Sequence, residues 1–381
     1  MKINLILLTL VYLFIHTDAS AQNDDLKIYQ EKSDNGYIFY ADNTALVPYS
    51  VKLNFEELKN LQPDKDLKSY IALAPAKSNK VEILRLRRVK EGSASSYNFN
   101  YIFTVGKPGQ QPDTDFAYWF PYRHGKKERV AQGNNGSGTH QGLNAIDFNL
   151  EEGEAVHAAR EGLVIEVKED SNTGGNNPKF EKDGNYIRIY HEDGTIASYV
   201  HLQKNGSLVH VGETVKAGDK IGISGNTGYS SGPHLHFMVT YNRDFQTLTL
   251  PVKFLNYDGK SIIPTEGKTY YAFHQGKPAF DVQETSNFNE KLYEQKLEKS
   301  GLKDNIKITS ESLDDFTLIY VDNGFNKKMS GKLIITITNM ESTKSLPHQF
   351  EVPAKTKMYL LTLKPKDTSK EFGYKLAAEF K

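Results

Sequence analysis

The sequence predicts an all-β protein, with a central antiparallel β-sheet region flanked by two β-sandwich-like regions that read as copies of each other. Three observations carry this. Residues 25 to 105 break into short β-branched and aromatic runs divided by turn-like clusters. Residues 151 to 167 and 209 to 228 alternate short apolar runs with glycines, the pattern of brief strands and tight turns folded into an antiparallel sheet. Residues 305 to 381 echo the first stretch at a near-constant offset.

The first residues are read separately. Lys2, the apolar run "INLILLTLVYLFI" and the small-residue site Ala19-Ser20-Ala21 describe a secretory signal peptide over 1–21, cut after Ala21. The apolar run covers residues 3 to 15, short of the ~20 residues a spanning helix needs. The expectation is an exported protein, periplasmic or secreted, with no stable membrane anchor. The chain has no cysteine, so neither a disulfide nor a lipid on an N-terminal cysteine is available. Lys+Arg and Asp+Glu both total 47. That balance gives no support for nucleic acid as a partner.

The N-terminal β-sandwich-like region is placed at 22–108. Its strands are "GYIFYADN", "YSVKLNF", "SYIALAPA", "KVEILRLRRV" and "YNFNYIFTV", separated by clusters such as "KSDNG" and "LQPDKD". The linker-like "GKPGQQPDTD" follows. The C-terminal β-sandwich-like region is placed at 305–381. There "YADN" at 40–43 returns as "YVDN" at 320–323, and "APAK" at 74–77 as "VPAK" at 352–355, with offsets of 280 and 278. Between lies a connecting segment, 251–304, in which "SNFNEKLYEQKLEKSG" is expected to form a short helix ending at Gly301.

The central region, 109–250, holds most of the eleven histidines. Burying several imidazoles and an aspartate on strands leaves costly unpaired polar groups unless they share a ligand. A metal ion satisfies them together. Zinc accepts imidazole nitrogen and carboxylate oxygen, and a catalytic zinc site uses three protein ligands. The candidates are His140, Asp147, His201, His234 and His236. That is more than three, so some serve otherwise, and a histidine near neutrality suits acid–base work. His234 and His236 are one residue apart, so on a strand they project from the same face. No H-E-x-x-H helix motif occurs, so the site belongs on a β scaffold. His124, His157, His191 and His210 are read as surface or turn residues.

From about Pro121 to about Thr240, roughly a third of the chain, the sequence resembles the lysostaphin-type, LytM-like zinc endopeptidases that cut peptide bonds in bacterial peptidoglycan. The blocks carrying the resemblance are "PYRHGKKERVAQGNNGSGTH", "AIDF", "GEAVHAAREGLVIEV", "GNYIRIYHEDGTIASYVHL" and "VGETVKAGDKIGISGNTGYSSGPHLHF". The resemblance implies a β-sheet metallopeptidase domain with Zn2+ held by His140, Asp147 and His236. It implies His201 and His234 as the catalytic histidines, and peptidoglycan stem or cross-bridge peptides as substrate. Many members of that family put three residues between the first histidine and the aspartate, whereas six intervene here in "HQGLNAID". The added residues are expected to loop out. Competing readings are a non-catalytic wall-binding or regulatory module, or a secreted protease on other proteins. An unknown protein regulator is compatible with any of these. The flanking regions are expected to bind substrate, cover the groove or act as spacers.

Overall fold

The computed structural model describes residues 24–280, 282, 288–367 and 372–381. The expected signal peptide lies outside the described residues. The chain divides between Lys277 and Pro278 into two compact units. Among the described residues α-helix is confined to Glu290–Gln295, and strands dominate elsewhere. No described helix is long and apolar enough to cross a membrane.

The first unit begins with two facing sheets. One runs Leu26–Ser33, Gly36–Asn43, Ser78–Arg88, Leu61–Pro63; the other runs Ala72–Ala74, Tyr49–Lys59, Ser96–Val105. Strand alternation sends Phe39, Ala41, Leu84 and Leu86 from one sheet, and Tyr49, Val51 and Leu53 from the other, into one core. Phe39 meets Phe55 and Phe99 edge-on, with ring centroids 5.4 and 5.0 Å away.

The second unit repeats this arrangement strand for strand. Ile306–Leu313, Phe316–Asn323, Thr356–Pro365 and Met340–Ser342 pair in the same order as the first sheet, and His348–Val352, Met329–Thr338 and Gly373–Phe380 as the second. The bulge at Phe39/Tyr40 recurs at Ile319/Tyr320. The echoed motifs touch one another. Asn43 Nδ2 donates to the carbonyls of Val47, Ala74 and Pro75, and Asn323 Nδ2 to those of Lys327, Val352 and Pro353. Each asparagine therefore ties a strand end to the "APAK" or "VPAK" turn itself, where Lys77 and Lys355 take left-handed backbone at φ 51° and 52°. The short helix differs from expectation. It stops at Gln295, and Leu297–Lys299 instead forms an edge strand on Thr356–Met358. The helix buries no residue, so main-chain pairing at a sheet edge outweighs one more helical turn.

The centre of the first unit is a larger sheet. Its order is Thr214–Val215, Gly162–Lys168, Asn185–Tyr190, Ile196–Ser207, Leu235–Arg243, Ala145–Phe148, Lys127–Gln132, Thr269–Tyr271. Its pairings are antiparallel. Leu235, Phe237 and Val239 alternate into a core with Tyr118, Phe120, Phe148, Tyr199 and Phe254, all essentially without solvent exposure. Phe120 stacks on Phe254 at 4.7 Å. Residues 251–277 pack against this sheet, and Lys253–Leu255 pairs in parallel with Ala117–Tyr118.

Candidate metal centre

Register builds the site. In the antiparallel ladders Gln132 lies opposite Asp147, Asp147 opposite His236, and His236 opposite Val200. Residues directly opposite share a face, so this row carries Gln132, Asp147 and His236 together. His140 arrives from the loop between Lys127–Gln132 and Ala145–Phe148. The extra residues of "HQGLNAID" form that loop, closed by Leu143 N donating to His140 O and Asn135 N to Leu143 O.

His201 comes onto this face through a defect. Asn185 pairs with Leu202 and Tyr186 with Val200, so His201 is the unpaired residue of a bulge. Its φ is 67°, a left-handed conformation uncommon for a side-chain-bearing residue. Bulges re-aim side chains. Here strict alternation is broken and the His201 ring stands 4.5 Å from His234 and 5.9 Å from His236, centroid to centroid. His234 sits just ahead of the strand Leu235–Arg243, held by its Nδ1–H on the Gly232 carbonyl at 2.8 Å.

The donor atoms converge. His236 Nδ1 lies 2.9 Å from Asp147 Oδ1, His140 Nε2 lies 3.3 Å from the same oxygen, and the two imidazole nitrogens are 3.2 Å apart. His234 Nε2 is 3.7 Å from Asp147 Oδ1. Among the described residues, His140, Asp147 and His236 form the one group of three or more potential ligands whose donor atoms lie within 4.8 Å of one another. His140 and Asp147 are buried. Burial opposes the Asp147 charge, but hydrogen bonds from His140 and His236 more than offset it and hold its carboxyl well below the usual range. Burial likewise opposes protonation of His140, yet Asp147 and the Gly133 carbonyl leave its pKa raised. His201 is pushed down to about 3, by burial first and then by the neighbouring His234 and His236.

All five site residues expected from the sequence thus stand in one cluster. The surface-or-turn reading of His157 is corrected: it ends the strand Ala155–His157 and is buried, with 6% exposure. His191 does open a turn, its carbonyl accepting from Gly194 N, but it is buried, with 0% exposure. Each donates Nδ1–H to a main-chain carbonyl, His157 to Gly218 and His191 to Glu161, and each leaves Nε2 without a partner. His124 is half-buried beside His274, while His210 is exposed. Sequence reasoning missed Gln132, Thr227 and Gly232, which hold the site residues from behind. A Gln or a carbonyl carries no metal-ligand signature, so spacing alone does not single them out.

A His–Asp–His donor set carried by an antiparallel sheet and its loop, with two further imidazoles beside it, could hold a metal ion on a β scaffold. Residues 140–247 match the model of peptidase family M23, and this part of the chain is a peptidase M23 domain. Lysostaphin of Staphylococcus simulans is 42% identical over 106 residues, covering 28% of this chain and 19% of that protein. Glycyl-glycine endopeptidase ALE-1 of Staphylococcus capitis is 39% identical over 124 residues, covering 32% and 30%. Peptidoglycan DD-endopeptidase ShyA of Vibrio cholerae serotype O1 is 37% identical over 94 residues, covering 25% and 19%. The chain thus spans less than a third of the length of each of these relatives. The solved catalytic domain of lysostaphin from Staphylococcus simulans aligns over 33% of this chain and 88% of its own, at 32% identity and a TM-score of 0.25.

Proposed function

We propose that this chain is an exported, zinc-dependent endopeptidase that hydrolyses peptide bonds in peptidoglycan stem peptides or cross-bridges. The observation that carries this reading is the convergence of His140 Nε2, Asp147 Oδ1 and His236 Nδ1 beside two histidines that stay outside the donor triad. The peptidoglycan endopeptidases among the relatives support the substrate class. The basic, apolar and small-residue pattern of residues 1–21 supports export. The working part is assigned to 109–250, with 22–108 and 305–381 as flanking modules.

Two imidazole nitrogens and one carboxylate oxygen are a donor set that zinc accepts, with a fourth position left for water or substrate. The residues fit the ion in a second way: His140 donates Nδ1–H to the Gly133 carbonyl at 3.0 Å, which fixes the tautomer that leaves Nε2 as a ligand. Zinc bound there supplies Lewis acidity, polarising the scissile carbonyl and lowering the pKa of a water.

The chain's own residues do the rest. His201 donates Nδ1–H to the Thr227 carbonyl at 2.6 Å, and His234 does so to Gly232. Each therefore keeps its proton on Nδ1 and leaves an unprotonated Nε2. One of them takes the proton of the attacking water on Nε2, and the imidazolium so formed hydrogen-bonds the oxyanion and returns that proton to the leaving amine. Burial, and then the neighbouring His234 and His236, push the His201 pKa down to about 3, so that ring is neutral at neutral pH.

The test is digestion of purified muropeptides by the mature chain, with and without chelator, read by mass spectrometry. Chelator-sensitive release of new peptides is expected. Absence of any such product from every wall type tried favours a non-catalytic wall-binding module instead.

A further inference from the structure

We infer that Gln132 is a positioning residue that sets the donor geometry of Asp147 and His140 through a single side-chain amide. The inference rests on reading His140, Asp147 and His236 as the metal centre. Gln132 stands opposite Asp147 in the ladder, and its Nε2 donates to Asp147 Oδ2 at 3.1 Å. That is the carboxylate oxygen turned away from the histidines, since His140 and His236 both approach Oδ1. Tying Oδ2 fixes the carboxylate plane and so the direction in which Oδ1 points.

The same amide holds the loop that carries His140. Gln132 Oε1 accepts from Thr139 N at 2.9 Å, and Nε2 also donates to Thr139 Oγ1 at 2.9 Å. Thr139 immediately precedes His140, whose own Nδ1–H is on Gly133, the residue after Gln132. One side chain therefore spans both arms of the loop and joins them to Asp147. Only an amide offers an acceptor and two donors in one plane at this length.

The glycines of "GNNGSGTH" make the clasp sterically possible. A Cβ at Gly136 would lie 2.4 Å from Gln132 Cγ, and one at Gly138 would lie 2.4 Å from Gln132 Oε1. The loop lies so close over the Gln132 side chain that neither position has room for a methyl group. The chain just before His140 is thus anchored at Thr139 to the residue opposite Asp147, and the same amide holds Asp147 at the far end of the loop.

Partners that hydrogen-bond a ligating carboxylate typically change metal affinity by about 10- to 100-fold when removed. The experiment measures zinc affinity of the full chain by competition with a chromophoric chelator, for Q132M, Q132E and D147A. Q132M removes both functions of the amide. Q132E keeps an acceptor for Thr139 N but replaces the donor to Asp147 with an oxygen. The expected result is a roughly 10- to 100-fold weaker zinc affinity in both Gln132 variants, with the melting temperature of the chelator-treated protein unchanged. D147A is expected to lose binding altogether. Wild-type affinity in Q132E, alongside loss in D147A, overturns the positioning role and leaves the metal centre standing. Wild-type affinity in D147A overturns the metal centre itself and the inference with it. If Q132M fails to fold, Q132E carries the test, because it retains the loop anchor.

Discussion

His201 and His234 stand with ring centroids 4.5 Å apart, and each commits its Nδ1–H to a main-chain carbonyl, on Thr227 and Gly232 respectively. Neither ring is in the donor triad. The pair thus leaves two unprotonated Nε2 atoms beside the triad, and on the proposed reading neither binds the metal. His201→Ala is expected to keep zinc and lose about 10²- to 10⁴-fold in turnover, the usual worth of a positioned acid or base. His234→Ala is expected to behave in the same way. Metal content by atomic emission, measured beside muropeptide turnover, checks this. Loss of zinc from His201→Ala would sink the division of labour.

The triad makes the opposite prediction. His140→Ala and Asp147→Ala remove a donor from the cluster and are expected to take zinc content from about one ion per chain to near zero, with activity lost in parallel. In Asp147→Ala the two imidazoles also lose the carboxylate that each approaches within 3.3 Å. Full activity in a metal-free His236→Ala protein would overturn the scheme.

Much of this was legible in the sequence, for physical reasons. His236 and Asp147 sit on strands, and their types mark them as candidate donors along with His140, His201 and His234, while only the family resemblance divides ligands from catalytic histidines. The echoes "YADN"/"YVDN" and "APAK"/"VPAK" were visible because Asn43 and Asn323 need those turns as carbonyl partners. What stayed hidden depends on register and backbone. The bulge that turns His201 inward arises from how Asn185 and Tyr186 pair with the next strand, and no local pattern announces it. Gln132 gains its meaning only from lying opposite Asp147. The burial of His157 and His191 is hidden for the same reason: the rings they meet, His274 and Tyr118, are distant in sequence.

Burial of histidines predicts an acid response. His191 is fully buried beside the Arg160–Asp193 ion pair, and burial, opposed by its bond to Glu161 and reinforced by Arg160, lowers its pKa from 6.5 to about 4. Between those values the unfolded chain binds the proton and the folded chain does not. Stability from this group is present above pH 6.5 and is lost as pH falls to about 4, on the order of 3 kcal/mol in all. Glu128, raised to about 7 chiefly by burial, acts in the other direction. The difference between wild type and His191→Phe isolates the histidine. Melting temperatures of chelator-treated protein are expected to fall less steeply for the variant between pH 6.5 and 4. Parallel curves would refute the assignment.

The repeated asparagine offers a test of the second unit by itself. Asn323 is fully buried and its Nδ2 serves the carbonyls of Lys327, Val352 and Pro353, while its Oδ1 accepts from Phe325 N at 3.0 Å. Asn323→Ala leaves these groups without their partner in the interior, and an unsatisfied buried polar group costs about 1–3 kcal/mol. Several are stranded at once, so the variant is expected to lose at least that much. The loss should fall on the unit beginning at Pro278, because the contacts of Asn323 all lie within it. Calorimetry is expected to show one transition moved down and the other in place, with zinc affinity at His140, Asp147 and His236 unchanged. Asn43→Ala should move the other transition, since it removes the same bonds from the first unit. If both variants shift both transitions equally, the two units do not unfold independently and the repeat does not mark separable folding modules.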